Sequence, residues 1–130
     1  MRIQDSERGA AAVEFALIAV PFLLLIFALL DLGWIFNQQL AVTTAAREAV
    51  RIYAVEQQNG SAAAIAEAES RASDLVQGAL SFDWQECSSN VENEDATVTV
   101  STPLTDLTGW VVVIAPESTL SARGTMRCGG

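Results

Sequence analysis

The feature that most constrains this chain is an apolar run from Ala10 to Leu30 that contains one charged side chain, Glu14. As an α-helix the run would span about 32 Å, which matches the roughly 30 Å hydrocarbon core of a bilayer. A carboxylate inside such a segment costs roughly 2–3 kcal/mol on membrane-insertion scales. Glu14 is therefore expected to meet a cation. Cleavage between Gly9 and Ala10 would create one, an α-amino group on the residue four positions before it.

Three interpretations of this run compete. A cleaved secretory signal has an apolar stretch of about 7–15 residues followed by a small-residue cleavage site. This run is longer and continues into Asp31 and Trp34 without such a site. A plain signal anchor fits the length but explains neither Glu14 nor Gly9. A prepilin-type leader explains both, because a short polar leader ends at Gly9 and the acid then falls at the fifth mature position.

The charges of the chain exclude several function classes. Its net charge is −9, and it contains no histidine and no lysine. An acidic chain without a basic patch repels nucleic acid, so nucleic acid is not an expected partner. Without histidine the chain lacks imidazole acid–base catalysis and imidazole metal ligands, and without lysine it lacks Schiff-base chemistry. The composition therefore argues against an enzyme, and neither a metal nor another cofactor is expected.

The flanks of the run predict its direction in a membrane. Arg2 and Arg8 favour a cytoplasmic N-terminus, since cytoplasmic flanks carry an excess of basic residues. Trp34 follows the run and suits the far membrane–water interface, where amphipathic rings are enriched. The sequence therefore predicts that membrane lipid surrounds the run and that everything beyond it is exported.

The helical pattern continues past the membrane. Apolar residues recur at steps of three and four up to about Gln58, which predicts one helix from Ala10 to that point. A turn at Asn59-Gly60 then precedes a second, alanine-rich helix over about Ser61–Leu80. The residues that carry this pattern beyond the apolar run are Phe36, Leu40, Ala46, Val50 and Tyr53.

The composition becomes strand-like toward the C-terminus. Thr97–Val100 alternates, Trp110–Ile114 is a β-branched run, and Thr119–Arg127 alternates more loosely. Two or three antiparallel strands are expected, so the predicted fold is α+β, with a long N-terminal transmembrane helix, a second helix and a small antiparallel sheet. The predicted divisions are a leader at 1–9, a transmembrane and assembly helix at 10–30, its exported continuation at 31–58 and a small exported domain at 59–130.

Two features of the exported part allow alternative interpretations. Cys87 and Cys128 are either a disulfide, which the oxidising compartment permits, or two unrelated small core residues. A bridge would close a loop of about 40 residues and contribute on the order of 4 kcal/mol in the chain-entropy model. The acidic stretch Glu92–Asp95 is either a cation site or a solvated loop. Its spacing matches no calcium loop, so a solvated loop is preferred.

Three motifs in order resemble a known family. They are Gly9–Leu17 (GAAAVEFAL), Asp31–Gly33 (DLG) after the leucine-rich span, and Ala45–Glu48 (AARE). Together they closely resemble the TadE-like family, minor pilins (pseudopilins) of the tight-adherence, or Flp-type, pilus system of bacteria. The family commonly continues the last block with Gly-Ala-Arg, whereas this chain reads Ala-Val-Arg at 49–51. A helix needs no glycine there.

The resemblance implies a function and a set of partners. It implies cleavage after Gly9 by a prepilin peptidase, with Ala10 as the mature N-terminus and with Glu14 and Phe15 in the assembly segment. The implied partners are other minor and major pilins and the inner-membrane pilus assembly platform. The implied location is the bacterial inner membrane, with the C-terminal domain in the periplasm or on a surface pilus. The alternative is an adhesin or ligand-binding module on a membrane anchor, in which Gly9 is never cut.

Overall fold

The longest element of the protein is helix α1, which runs from Gln4 to Glu56 without a break. The computed structural model describes residues 4–87 and 94–128 of the chain. A 3₁₀ turn, Gln57–Asn59, follows it, so the predicted long helix is confirmed: it ends two residues before Gln58 and begins six residues before Ala10. Its 53 residues extend about 80 Å at 1.5 Å per residue.

The second helix, α2, covers Ser61–Ser73 and is shorter than the sequence predicted. The chain leaves the helix in a turn, in which the Leu75 amide donates to the Ala72 carbonyl oxygen at 3.1 Å. This turn brings Val76 into the core while the next residues lead into the sheet. The helix therefore ends seven residues before the predicted end at Leu80.

An antiparallel sheet of three strands packs against the two helices. The strands are β1 (Ser81–Gln85), β2 (Asp95–Pro103) and β3 (Thr119–Arg127), in the order β1-β2-β3. The predicted α+β class is thus confirmed, and so are β2 and β3. Strand β1 was missed, because its alternation of half-buried and exposed side chains covers only five residues inside a polar stretch.

The prediction of a strand at Trp110–Ile114 is wrong, since these residues form a short helix, α3. Gly109 precedes it with φ +82°, a left-handed conformation that glycine adopts without strain. The Val111 amide then donates to the Asp106 carboxylate at 2.7 Å. This acceptor satisfies an amide that the helix start would leave unpaired, so the local turn overrides the β-branched composition.

The core lies between the C-terminal half of α1, helix α2 and the central strand β2. Small side chains dominate it, which lets the backbones approach closely. At Gly124 in β3, a Cβ atom would lie 2.3 Å from the Ala46 carbonyl oxygen of α1. Of the residues that carried the helical pattern, Ala46, Val50 and Tyr53 are buried in this core, whereas Phe36 and Leu40 are mostly exposed. The buried hydrophobic residues of the three elements are Val42, Ala45, Ala46, Ala49, Val50, Tyr53, Ala54, Ala64, Ala68, Ala72, Ala96, Val98 and Val100.

Candidate functional site

The N-terminal half of α1 holds the residues predicted to be cleaved and to direct assembly. Gly9, Ala10 and Glu14 are all exposed, and Ala10 and Glu14 lie four positions apart on one continuous helix. A four-residue step places two side chains on the same face, about one turn apart. Phe15 beside them is 74% exposed. Every residue from 9 to 18 of this helix is exposed, so this stretch offers a free surface to lipid or to other helices.

The same half of α1 is suited to a membrane. One helix in the described part of the chain, Gly9–Asn59, is long and apolar enough to cross a bilayer. No residue of its most apolar window is buried within the protein. A helix that is apolar around its whole circumference requires either lipid or other helices around it. The helix therefore indicates membrane anchoring, as the sequence predicted.

Asp31, at the end of the apolar run, joins this helix to the α+β domain. Its side chain is buried, with 5% of its surface exposed. The carboxylate accepts hydrogen bonds from the Leu107 and Thr108 amides at 3.1 Å each and from the Thr108 hydroxyl. Sequence reasoning missed this role, because the partners lie more than seventy positions away in the chain and no local pattern marks them.

Gln38, two turns further along α1, forms a second contact with the connection between β2 and β3. Its amide group donates to the Thr105 carbonyl oxygen at 2.5 Å and accepts from the Thr105 hydroxyl at 2.9 Å. Gln39 donates to the Ser121 carbonyl oxygen in β3 at 3.0 Å. The connection between β2 and β3 is thus fixed to one face of the long helix at two successive levels.

Trp34, the residue predicted to lie at the membrane interface, packs between α1 and the domain. It is half-buried and lines a groove of about 290 Å³ between α1 and the domain, together with Ala41, Val76 and Thr102. Its place at the membrane interface stays a prediction. Trp110, which sequence reasoning assigned to a strand, is the more exposed indole at 62%.

Cys87 and Cys128 form a disulfide with Cα atoms 5.9 Å apart. The bridge links the residues just after β1 and β3, the two outer strands of the sheet. The Cys87 amide also donates to the buried Tyr53 hydroxyl at 3.2 Å, and the Tyr53 ring packs 5.2 Å from the Trp84 ring. Tyr53 therefore also holds the disulfide-bonded end of the sheet against α1.

Only part of the acidic stretch Glu92–Asp95 lies among the described residues. Glu92 and Asn93 lie outside the described residues, so the choice between a cation site and a solvated loop is still open there. Among the residues that the structure does describe, no group of three or more histidine, cysteine, aspartate or glutamate side chains could hold a metal ion.

One helix is thus both a membrane-length apolar segment, which indicates anchoring, and the spine of a small α+β domain. Residues 9–51 match the family described as TadE-like protein, and this confirms the resemblance for the N-terminal third of the chain. The matched segment contains Glu14, Asp31 and Gln38. Neither the curated proteins nor the solved structures yield a match to this chain.

Proposed function

We propose that this chain is a minor pilin that is cut after Gly9 and helps to assemble a tight-adherence (Flp-type) pilus. The TadE-like match at residues 9–51 supports a structural, pilus-associated role rather than a catalytic one. The observation that carries the proposal is the exposed, apolar helix at the start of that match, with a single acid inside it. Such a surface is suited to lipid before assembly and to the helices of other pilins after it.

The chemistry of Glu14 supports a role in that assembly. An ionised carboxylate among apolar helices is costly unless a cation pairs with it. Cleavage would place an α-amino group on Ala10, on the same face of the helix one turn away. Packing against a neighbouring subunit could pair the carboxylate with that group from either chain. Glu14 would then fix the register between helices, with Phe15 contributing apolar contact area.

The proposed function assigns a role to each segment of the chain. Residues 1–9 are the leader that a prepilin peptidase removes, and residues 10–30 form the segment shared by lipid and filament. Residues 31–58 continue the helix as the spine of the domain, which residues 59–130 complete. The N-terminus lies in the cytoplasm and the domain lies in the periplasm or on the pilus. The partners are other pilins and the inner-membrane assembly platform.

Replacement of Glu14 tests this proposal. Glu14→Ala is expected to insert in the membrane normally and to abolish pilus assembly, because the register contact is lost. The matched control is Glu67→Ala, the same change in α2 and outside the matched segment, where the exposed carboxylate pairs with exposed Arg71 at 2.8 Å. Such surface pairs contribute little stability. The readout is the amount of sheared surface pili relative to the membrane-inserted protein.

Two results of that comparison are decisive. Loss of pili in Glu14→Ala with normal piliation in Glu67→Ala would support the assembly role. Normal piliation in both variants would contradict it and would leave the chain as a membrane-anchored module whose acid has no function in the filament.

A further inference from the structure

A second apolar surface lies beside the membrane-length part of α1. Helix α3 exposes Trp110, Val113 and Ile114 at 62%, 82% and 78% of their surfaces, and Leu107 just before it is 58% exposed. Between α3 and α1 lies an open, apolar groove of about 240 Å³. Its α1 wall includes Leu24, Phe27 and Ile35, and its opposite wall includes Trp110 and Val111.

The level of this groove along α1 is informative. Its α1 wall extends on both sides of Leu30, where the apolar run ends. Leu24 lies about 9 Å inside that end at 1.5 Å per residue, and the hydrocarbon half-thickness is about 15 Å. A segment that faces Leu24 and Phe27 across the groove is therefore at the depth of acyl chains when α1 spans a bilayer.

The position of α3 is fixed by buried and bridging polar contacts. Asp31 accepts three hydrogen bonds from Leu107 and Thr108, just before α3, and Gln38 binds Thr105. The base of this connection is closed where the Leu104 amide donates to the Ser118 carbonyl oxygen at 2.9 Å. These contacts hold the apolar surface toward the span rather than leaving it at the end of a loose loop.

The backbone of this segment is also suited to lipid. A polar backbone group in hydrocarbon requires an internal partner. The Val111 amide is paired with the Asp106 carboxylate, the Val113 amide with the Gly109 carbonyl oxygen and the Ala115 amide with the Val111 carbonyl oxygen. No charged residue occurs between Asp106 and Glu117.

We propose that α3, with Leu107 before it, enters the bilayer leaflet on the domain's side as a second membrane contact. Lipid is the chosen occupant because the α3 surface is continuous with the span, through the groove that Leu24 and Phe27 line. Trp110 matches the enrichment of indole rings near membrane interfaces. The two contacts together fix the tilt and rotation of the domain over the membrane. This inference rests on the membrane anchoring of α1 but not on cleavage or filament assembly.

Lipid-borne quenching of single fluorescent labels tests the proposal. The two native cysteines form the disulfide, so one added cysteine in the full chain can be labelled with an environment-sensitive fluorophore. Val113→Cys reports on α3, and Val55→Cys is the matched control, an exposed valine on α1 far beyond the span. Leu23→Cys, within the span, reports whether α1 is inserted at all. The vesicles contain phosphatidylethanolamine and phosphatidylglycerol, with or without nitroxide-labelled acyl chains.

The proposal expects nitroxide lipid to quench the label at position 113 severalfold more than the label at position 55, approaching position 23. Quenching at 23 but not at 113, with iodide in the buffer reaching 113, would overturn the second contact and leave the anchor intact. A label at 113 that neither iodide nor nitroxide lipid reaches would indicate a protein neighbour, such as a second copy, and would also overturn it. No quenching at 23 would refute the anchoring on which the proposal rests.

Removal of the Asp31 contact tests how α3 is held. Asp31→Ala removes three hydrogen bonds, so quenching at position 113 is expected to fall toward that at position 55 while quenching at 23 is unchanged. Thr108→Val, which removes only the hydroxyl donor, is expected to cause a smaller fall. Full quenching at 113 in Asp31→Ala would contradict the tethering role of Asp31.

Discussion

Gly124 lies where strand β3 passes very close to α1, and this contact limits how far apart the sheet and the long helix can be placed. A Cβ atom at this position would lie 2.3 Å from the Ala46 carbonyl oxygen and 3.1 Å from a Val50 methyl carbon. The first neighbour is backbone, so it can move only if the helix moves. The absence of a side chain at Gly124 is therefore a requirement of the packing.

Gly124→Ala is expected to destabilise the domain by about 1–3 kcal/mol, the usual range for overpacking a tight contact. The control is Gly33→Ala in α1, where an added Cβ meets nothing within 4 Å. Alanine is favoured over glycine inside a helix by roughly 0.5–1 kcal/mol, so this variant should be neutral or more stable. Urea unfolding of the full chain in detergent micelles measures both. Equal stability of Gly124→Ala and the unchanged chain would refute the close contact.

At the scale of elements, α1 and α2 meet along small side chains. Ala64, Ala68 and Ala72 of α2 are almost fully buried and recur every four residues, which places them on one face. The α1 residues that share this core include Ala45 and Ala49, both fully buried. Alanine at these positions permits a close approach of the two helices, which a larger side chain would prevent.

Ala68→Leu is accordingly expected to cost about 1–3 kcal/mol, because Ala68 is fully buried at the contact of the two helices and a larger side chain would overpack it. The matched control is Ala66→Leu, on the exposed side of the same helix, where the change should lie within about 0.5 kcal/mol of zero. Both are measured by urea unfolding in micelles. An Ala68→Leu variant as stable as the control would show that the helices do not pack along this face.

The elements differ in how far the sequence determines them. The long helix and strands β2 and β3 were predictable, because their periodic patterns extend over enough residues to be unambiguous. At Trp110–Ile114 the β-branched composition favoured a strand, yet the left-handed Gly109 and the Asp106 carboxylate initiate a helix there. Asp31 could be seen as a charge at the end of the span, but its buried contacts with Leu107 and Thr108 arise only when the chain folds.

At the scale of the whole molecule, one helix connects two environments. Its N-terminal half offers an apolar surface to lipid or to other helices, and its C-terminal half is the spine of the domain. Asp31, Gln38 and Gln39 join the domain to this helix by hydrogen bonds, while the disulfide joins the outer strands of the sheet. The domain is therefore positioned relative to the span, so an anchor that enters a filament would carry its domain in a defined orientation.

The most direct test of the account is the N-terminus and the intact mass of the protein extracted from its native membrane. The account predicts a mature chain that begins at Ala10, that requires the prepilin peptidase, and that has lost two hydrogen atoms through the Cys87–Cys128 bridge. An uncut chain beginning at Met1, in cells whose other prepilins are processed, would contradict the pilin assignment and leave Glu14 without its cation.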